Sequence, residues 1–275
     1  GLSSFLSAAH HAALCQAEGG RVIRSLRSDC KIGTTFSYSH IEPYRHYAEK
    51  DNVAAARADA LLNRMFLEPL LGMGYPTQTL KVLERIERFM YPHDEKKLAF
   101  EMDFIGLQNY TRELATYAPL VPFAKAKLVN ARKRNVAYTQ MGWEVYPPAI
   151  YEALKRVDAY AGVKEIIITE NGAAFQDVPD QGVVDDPKRV RFLQDHIAQV
   201  LLARREGVKV NGYFVWTLLD NFEWAEGYYP KFGLVHVDFA TQRRVVKNSG
   251  YWYRNFLGNA PVSAQGDDPG MIWSY

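Results

Sequence analysis

Strand-like and helix-like segments alternate along this chain, and that alternation constrains the fold more than any other feature of the sequence. The most diagnostic segment is 163–169, which contains the continuous apolar run 166–168, because such runs are typical of strands buried on both faces of a parallel sheet. Three further segments have strand character, and segments with helical spacing of apolar residues separate them. The predicted strands are 31–39, 102–111, 163–169 and 211–218, and the predicted helices are 3–26, 52–72, 147–160, 187–206 and 246–257. This order predicts right-handed βαβ units and a parallel α/β sheet.

A single domain, 1–275, is predicted, because no composition break, tandem repeat or low-complexity segment divides the chain. The polar, basic segment 112–140 indicates a hairpin and loop, and the tail 259–275 is predicted to be irregular. A (β/α)8 barrel needs about 250 residues, but only four segments have convincing strand character. Four βα units would make half a barrel with two open strand edges. Either the other half exists elsewhere or the fold is not barrel-like.

The charge distribution excludes several classes of function. Lysine and arginine number 33 and aspartate and glutamate 31, so the net charge is only +2. No run of five or more like charges occurs, and we therefore expect neither a nucleic-acid partner nor a membrane-surface role. No apolar stretch approaches ~18 residues, the length that a membrane-spanning helix needs. The chain opens inside a predicted helix with no signal peptide before it, so a cytoplasmic location is expected.

No metal site is expected either. Cys15 and Cys30 are too few for a disulfide scaffold or a cysteine-ligated zinc site, and we expect both to be reduced, buried thiols. His10 and His11 are adjacent on a predicted helix and therefore point in different directions.

Polar and aromatic residues follow the predicted strands, where parallel α/β folds build their active sites. Glu170 follows the apolar run 166–168, so its carboxylate is expected at the mouth of a buried strand. A helix-starting or capping role for Glu170 is the alternative. Trp216 lies near the end of the last predicted strand, and Glu223 and Trp224 follow that strand. Sugar sites combine carboxylates with flat aromatic side chains, although each tryptophan alone would more often be a core or surface residue.

Two motifs resemble signatures of the retaining β-glucosidases of glycoside hydrolase family 1. They are Ile-Thr-Glu-Asn-Gly at 168–172 and Leu-Leu-Asp-Asn-Phe-Glu-Trp-Ala-Glu-Gly-Tyr at 218–228. Further matches in the same order cover most of the chain, at 8–11, 63–70, 74–76, 103–106, 141–147 and 231–238. The resemblance implies a (β/α)8 TIM barrel, of which this chain supplies roughly the second half, strands 5–8.

The resemblance also assigns roles to individual residues. Glu170 would be the nucleophile, and Tyr110 would donate a hydrogen bond to it. Glu223 and Trp224 would hold the hydroxyls of the non-reducing sugar, and Trp216 would be the platform beneath its ring.

Trp143 would form a wall of the leaving-group subsite. Gln108 stands where the family usually has Asn, and we expect it to contact the sugar or the nucleophile. Asn109 stands where the family often has Tyr, which leaves its role open.

The family's second carboxyl is the main departure from the pattern. Retaining glycosidases use two carboxyl groups about 5–5.5 Å apart, and this family supplies the acid/base from an Asn-Glu-Pro motif after strand four. No Asn-Glu-Pro occurs in these 275 residues, and the similar triplets 41–43 and 67–69 are not in the corresponding place. The acid/base glutamate is therefore expected to lie outside this chain.

Three explanations stay open for that absence. The chain is part of a longer enzyme, it works beside a separate N-terminal half of the barrel, or it is a half-barrel used for binding or as a fragment.

The leading hypothesis for the function is a retaining β-glucosidase that acts on terminal β-D-glucosyl residues of β-glucosides or oligosaccharides without a cofactor. A non-catalytic carbohydrate-binding half-barrel is the alternative, and a transglycosidase is a third. The sequence sets neither the aglycone nor the oligomeric state.

Overall fold

Strands and helices alternate in the computed structural model, which describes residues 1–259. The helices are α1 (Leu2–Leu26), α2 (Glu49–Asp59), α3 (Met65–Leu70), α4 (Asp94–Leu98), α5 (Pro148–Asp158), α6 (Pro187–Arg205) and α7 (Asn248–Asn259). The strands are β1 (Gly33–Ser37), β2 (His40–Pro43), β3 (Phe104–Gln108), β4 (Arg112–Tyr117), β5 (Ala126–Leu128), β6 (Ile166–Asn171), β7 (Val210–Val215), β8 (Val235–Val237) and β9 (Arg244–Val246). Apart from residue 259, the last residue of α7, the predicted tail 259–275 lies outside the described residues.

The four predicted strands form one parallel sheet in the order β1-β3-β6-β7. Helical segments lie between consecutive strands of this sheet, as βαβ crossovers require. Within the described residues the sheet is open, with β1 and β7 at its edges.

One face of this sheet packs on helices. Ile105, Leu107, Ile166 and Ile168 belong to a buried cluster that α5 completes with its apolar stripe. The predicted stripe of α5 is confirmed, because Ile150, Leu154 and Val157 are all fully buried. The stripe predicted for 187–206 is buried at Leu193, Ile197 and Val200, and partly buried at Val190 and Leu201.

The opposite face of the sheet carries small and polar side chains. The hydroxyl oxygens of Thr35 and Thr169 share a hydrogen bond of 2.5 Å across Gly106. A Cβ at Gly106 would lie 2.8 Å from the methyl group of Thr169, so the close approach of the strands requires glycine here.

A register shift occurs at the end of β6. Leu107 pairs with Ile168, but the next residue of β3, Gln108, pairs with Glu170. Thr169 approaches Gly106, and Glu170 contacts Gln108. Since Gly106 and Gln108 lie on the same face of β3, the bulge turns two consecutive residues of β6 toward that face.

The strand ends and the connections between them agree with the sequence predictions only in part. The strands predicted at 31–39 and 102–111 are shorter in the structure. The strands that follow them, β2 and β4, pair in parallel in a second sheet. The segment 112–140 does contain a hairpin, in which β4 pairs antiparallel with β5. The helix predicted at 52–72 begins at Glu49 and includes a π-helical turn, Ala60–Arg64.

Two further findings bear on the sequence predictions. Cys15 is exposed and Cys30 is partly exposed, so the prediction of buried thiols is wrong. Among residues 1–259, no helix is both long and apolar enough to cross a bilayer.

Candidate active site

The candidate site is built around the carboxylate of Glu170, near the carboxyl end of β6. Its Oε1 accepts a hydrogen bond from Gln108 Nε2 at 2.9 Å, and its Oε2 accepts one from the hydroxyl of Tyr110. Both donors come from the end of the neighbouring strand β3 rather than from the turn that follows Glu170. The contacts therefore do not support the capping alternative for Glu170. The predicted contact between Gln108 and the carboxylate is present.

A second set of hydrogen bonds lies beneath this carboxylate. Asn109 is buried, and its Nδ2 donates to the carbonyl of Tyr38 at 2.8 Å, just after β1. Asn171 Nδ2 donates to the carbonyl of Asn109 at 2.7 Å, and Tyr213 on β7 donates to Asn171 Oδ1 at 2.6 Å. These bonds link the carboxyl ends of all four parallel strands. Asn109 thus has a clear contact in the structure, where the sequence had left its role open.

Three aromatic rings line one side of the site. The ring of Tyr110 lies 5.1 Å from that of Trp143 and 6.2 Å from that of Phe232. Burial raises the pKa of the Tyr110 phenol far above its usual range, and the hydrogen bond to Glu170 and the charges of Glu170 and Glu223 raise it further. Tyr110 is therefore a hydrogen-bond donor throughout the physiological range. Phe232 was not predicted, because a phenylalanine in a loop gives no signal of its own.

The second carboxylate of the site is Glu223, in the loop that follows β7. Its pKa is raised by burial, and then by the negative charges of Glu170 and Glu226. A hydrogen bond from Trp216, the first residue after β7, opposes that rise. Glu223 thus lies within hydrogen-bond reach of Trp216 and within the electrostatic influence of Glu170.

Trp224 differs from the other predicted residues. It begins a short 3-10 turn, Trp224–Glu226, and the residue is 79% exposed. The structure therefore places it at the outer rim of the loop. The remaining six predicted residues, Gln108, Tyr110, Trp143, Glu170, Trp216 and Glu223, are all partly buried.

The arrangement provides a held carboxylate, a second carboxylate and aromatic surfaces, which suits a polyhydroxylated ligand. Within residues 1–259, no three His, Cys, Asp or Glu side chains are grouped so that they could hold a metal ion.

Comparison with known proteins identifies the family. Residues 2–260 match the family described as "Glycosyl hydrolase family 1". The chain belongs to glycosyl hydrolase family 1. Its family 1 relatives include the 1,4-beta-D-glucan glucohydrolase of Thermotoga neapolitana, which is 40% identical over 91% of this chain and 56% of the relative.

Solved structures confirm the fold of this family 1 chain. A psychrophilic beta-glucosidase from Micrococcus antarcticus has a TM-score of 0.86 at 33% identity, over 92% of this chain and 58% of that one. Beta-glucosidase from Thermotoga maritima in complex with glucoimidazole has a TM-score of 0.83 at 39% identity, over 92% of this chain and 56% of that one. The chain thus spans little more than half the length of these relatives, and the predicted partial TIM barrel is confirmed.

Proposed function

We propose that the protein is a retaining β-glucosidase that hydrolyses terminal non-reducing β-D-glucosyl residues. The observation that carries the proposal is the carboxylate of Glu170, held by Gln108 and Tyr110 beside a second carboxylate, Glu223. The names of the family 1 relatives support a β-glucoside substrate, and so does the complex of one of them with glucoimidazole.

Glu170 is the proposed nucleophile. One of its oxygens forms a bond to the anomeric carbon while the bond to the leaving oxygen breaks, and the acid/base carboxyl, which is a different group from Glu223, gives that leaving oxygen a proton. Water, deprotonated by the same acid/base carboxyl, then cleaves the ester with net retention. Tyr110 and Gln108 orient the carboxylate before attack and stabilise its charge when the ester is cleaved.

The sugar itself is held by the loop that follows β7. Glu223 accepts hydrogen bonds from sugar hydroxyls, Trp216 forms the surface beneath the ring, and Trp224 adds a contact at the rim. Trp143, beside Tyr110, forms the wall of the leaving-group subsite.

An unphosphorylated sugar is the proposed substrate. A 6-phosphate would need a cation near Glu223, and the nearest lysine along the loop is Lys231. Its ammonium lies 4.2 Å from the centre of the Phe239 ring, in a cation–π contact. We therefore expect plain β-glucosides to be cleaved faster than their 6-phosphates.

The acid/base glutamate is proposed to lie in the part of the barrel outside this sequence. No Asn-Glu-Pro motif occurs within the 275 residues, and the relatives are almost twice the matched length. That part could belong to the same longer chain or to a separate N-terminal half.

Covalent trapping tests the proposal without needing the acid/base. Dinitrophenyl 2-deoxy-2-fluoro-β-D-glucoside has a leaving group that departs unprotonated, and its fluorine slows cleavage of the ester. We expect the protein to gain the mass of one fluoroglucosyl group on a peptide that contains Glu170. Glu170→Gln should not be labelled, whereas Glu152→Gln, on the exposed side of α5, should react like the wild type.

Two results would contradict the proposal. Reversible binding without a covalent label would favour a non-catalytic carbohydrate-binding protein. Labelling of a different carboxylate would contradict the role of Glu170.

A further inference from the structure

Five charged side chains form a buried network behind the site. It connects the β6 loop (172–186), the β7 loop (216–234) and the beginning of α7. Each of the five side chains is at most 1% exposed. The members are Asp177, Asp186, Arg189, Asp220 and Lys247.

Arg189 connects the two loops through their backbones. Its guanidinium donates to the carbonyl of Ala173 at 3.2 Å in the β6 loop, and to the carbonyl of Lys231 at 2.5 Å in the β7 loop. It also donates to both carboxylate oxygens of Asp177, at 2.8 and 3.1 Å. Asp186 accepts from Arg189 and from the hydroxyl of Ser249 in α7.

Lys247 connects the same loops through their side chains. Its ammonium donates to Asp177 Oδ2 at 2.5 Å and to Asp220 Oδ1 at 2.9 Å. Asp220 in turn accepts from the backbone N–H of Gly233 at 2.8 Å, which closes the base of the β7 loop. A Cβ at Gly233 would lie 2.2 Å from the backbone nitrogen of Asp220, so the two ends of the loop are in direct contact. Glu223 follows Asp220 by three residues.

The charges make Lys247 necessary for this arrangement. Three carboxylates, Asp177, Asp186 and Asp220, are buried with two cations, and the ring of His236 lies 3.4 Å from Asp220. Without Lys247, the carboxylates of Asp177 and Asp220 would face each other with no cation between them. Buried like charges repel strongly, and the repulsion would move the two loops apart.

We propose that Lys247 is a positioning residue for the sugar site, and that its buried ammonium sets the place of the β7 loop, with Glu223 and Trp216, relative to Glu170. The inference rests on the proposed function, because it assigns the β7 loop to sugar binding. The proposal predicts that Lys247 affects sugar affinity but not the rate of bond formation. Glu170 is held by Gln108 and Tyr110 at the end of β3, and not by Lys247.

Lys247→Met tests the proposal by removing the charge and keeping the length of the side chain. Inactivation by dinitrophenyl 2-deoxy-2-fluoro-β-D-glucoside gives a binding constant Ki and a maximal rate constant ki. We expect Ki to rise by about 10- to 100-fold, as for misplaced binding groups. We expect ki to change by less than about threefold, because the orientation of Glu170 does not depend on Lys247. Amides of residues 216–234 should exchange with deuterium about tenfold faster or more.

Asp51→Asn is the matched control. The side chain of Asp51 is also fully buried, and it binds Arg45 at 2.7 Å beside the second sheet. This variant should lose stability while Ki and the exchange of 216–234 stay within about twofold of the wild type. A second variant, Asp220→Asn, keeps the size of the side chain and removes one charge. Combined with Lys247→Met, it should recover part of the lost affinity, because the repulsion from Asp177 is then reduced.

The outcomes separate the two proposals. An unchanged Ki and unchanged exchange in Lys247→Met would overturn the positioning role, and so would an equal effect of Asp51→Asn. If Lys247→Met does not fold, an unchanged Ki and unchanged exchange in Asp220→Asn would overturn it as well. If the wild type is not labelled at all, the proposed function fails. The exchange measurement alone then decides whether Lys247 holds the β7 loop.

Discussion

The two halves of the candidate site are held by different physical means. Glu170 and its donors, Gln108 and Tyr110, lie at the ends of adjacent parallel strands, and the backbone ladder between β3 and β6 sets their spacing. Glu223 and Trp224 lie in an irregular loop, and the buried ion pair of Asp220 and Lys247 lies at its base.

This difference suggests that the strand ends carry out bond formation, whereas the β7 loop recognises the sugar. Residues on a strand ladder keep their positions as long as the sheet is intact, since each strand is bonded to its neighbours along its length. Residues in a loop move when a few side-chain contacts are lost. We therefore expect changes near the strand ends to affect the rate of bond formation, and changes in the β7 loop to affect sugar affinity.

The largest effect is expected from Tyr110→Phe, which removes one of the two donors to Glu170 while keeping the aromatic ring. The partly buried carboxylate then has only Gln108 to orient it. We expect ki for the fluoroglucoside to fall by about 10²- to 10³-fold, as for the loss of a preorganised donor in other active sites. Ki should change much less.

Tyr91→Phe serves as the control for Tyr110→Phe, because 71% of Tyr91 is exposed. It should react like the wild type. A fall in ki of less than threefold in Tyr110→Phe would show that Gln108 alone is sufficient.

Gly172→Ala should give the next largest effect, because Gly172 is where the two halves of the site touch. A Cβ there would lie 1.9 Å from the carbonyl oxygen of Trp216, which is backbone and cannot turn aside. We expect the end of β7 to shift, Ki to rise by about 10-fold or more, and stability to fall by about 1–3 kcal/mol. Inactivation kinetics and thermal unfolding measure both.

Gly19→Ala is the matched glycine control. It lies on α1 with no atom within 4 Å of an added Cβ. Replacing a helical glycine by alanine should stabilise the protein by about 0.5–1 kcal/mol without changing Ki. An unchanged Ki in Gly172→Ala would show that the contact between Gly172 and the carbonyl of Trp216 does not set the relative position of the two halves of the site.

The sequence predicted the strand-end half of the site better than the loop half. The apolar run 166–168 in the predicted strand 163–169 predicts β6, and Glu170 comes directly after that strand, so its place at the edge of the sheet could be inferred. The four strands of the parallel sheet and the stripe of α5 could be inferred in the same way. These features depend on periodicity, which is local along the chain.

Features that depend on distant residues could not be inferred. The bond from Asn109 to Tyr38 joins positions 71 residues apart, and no local pattern indicates it. Nothing in the short segment that forms β2 indicates that it pairs with β4, about 70 residues away in the sequence. No sequence pattern marks Lys247, and only the fold brings it to Asp177 and Asp220.

Glu223→Gln tests the role of the β7 loop in sugar binding. The amide keeps the shape of the carboxylate but accepts weaker hydrogen bonds from sugar hydroxyls, because the charge is gone. We expect the affinity for a non-hydrolysable aryl β-thioglucoside, measured by calorimetry, to fall by about 10-fold. The value of ki should stay within about threefold of the wild type. A large fall in ki with unchanged affinity would assign Glu223 to bond formation instead of sugar binding.

Glu226→Gln should have the smallest effect. We expect this variant to change only the pH dependence of sugar affinity. Burial, together with the charges of Glu170 and Glu226, raises the pKa of Glu223 above its usual range. Protonation of Glu223 removes its charge, so the affinity for the neutral thioglucoside should decline as the pH falls through that raised pKa. Glu226→Gln removes one of the negative charges, which lowers the pKa of Glu223, and the decline should begin at lower pH than in the wild type. Because Glu226 is exposed, solvent and salt screen its charge, and the difference should vanish at high ionic strength.

Glu84→Gln, which changes an exposed carboxylate remote in the chain, should leave the pH profile of sugar affinity unchanged. An identical profile in the wild type and Glu226→Gln at low salt would mean that burial and Glu170 alone set the protonation of Glu223, and that the outer part of the β7 loop does not tune the site.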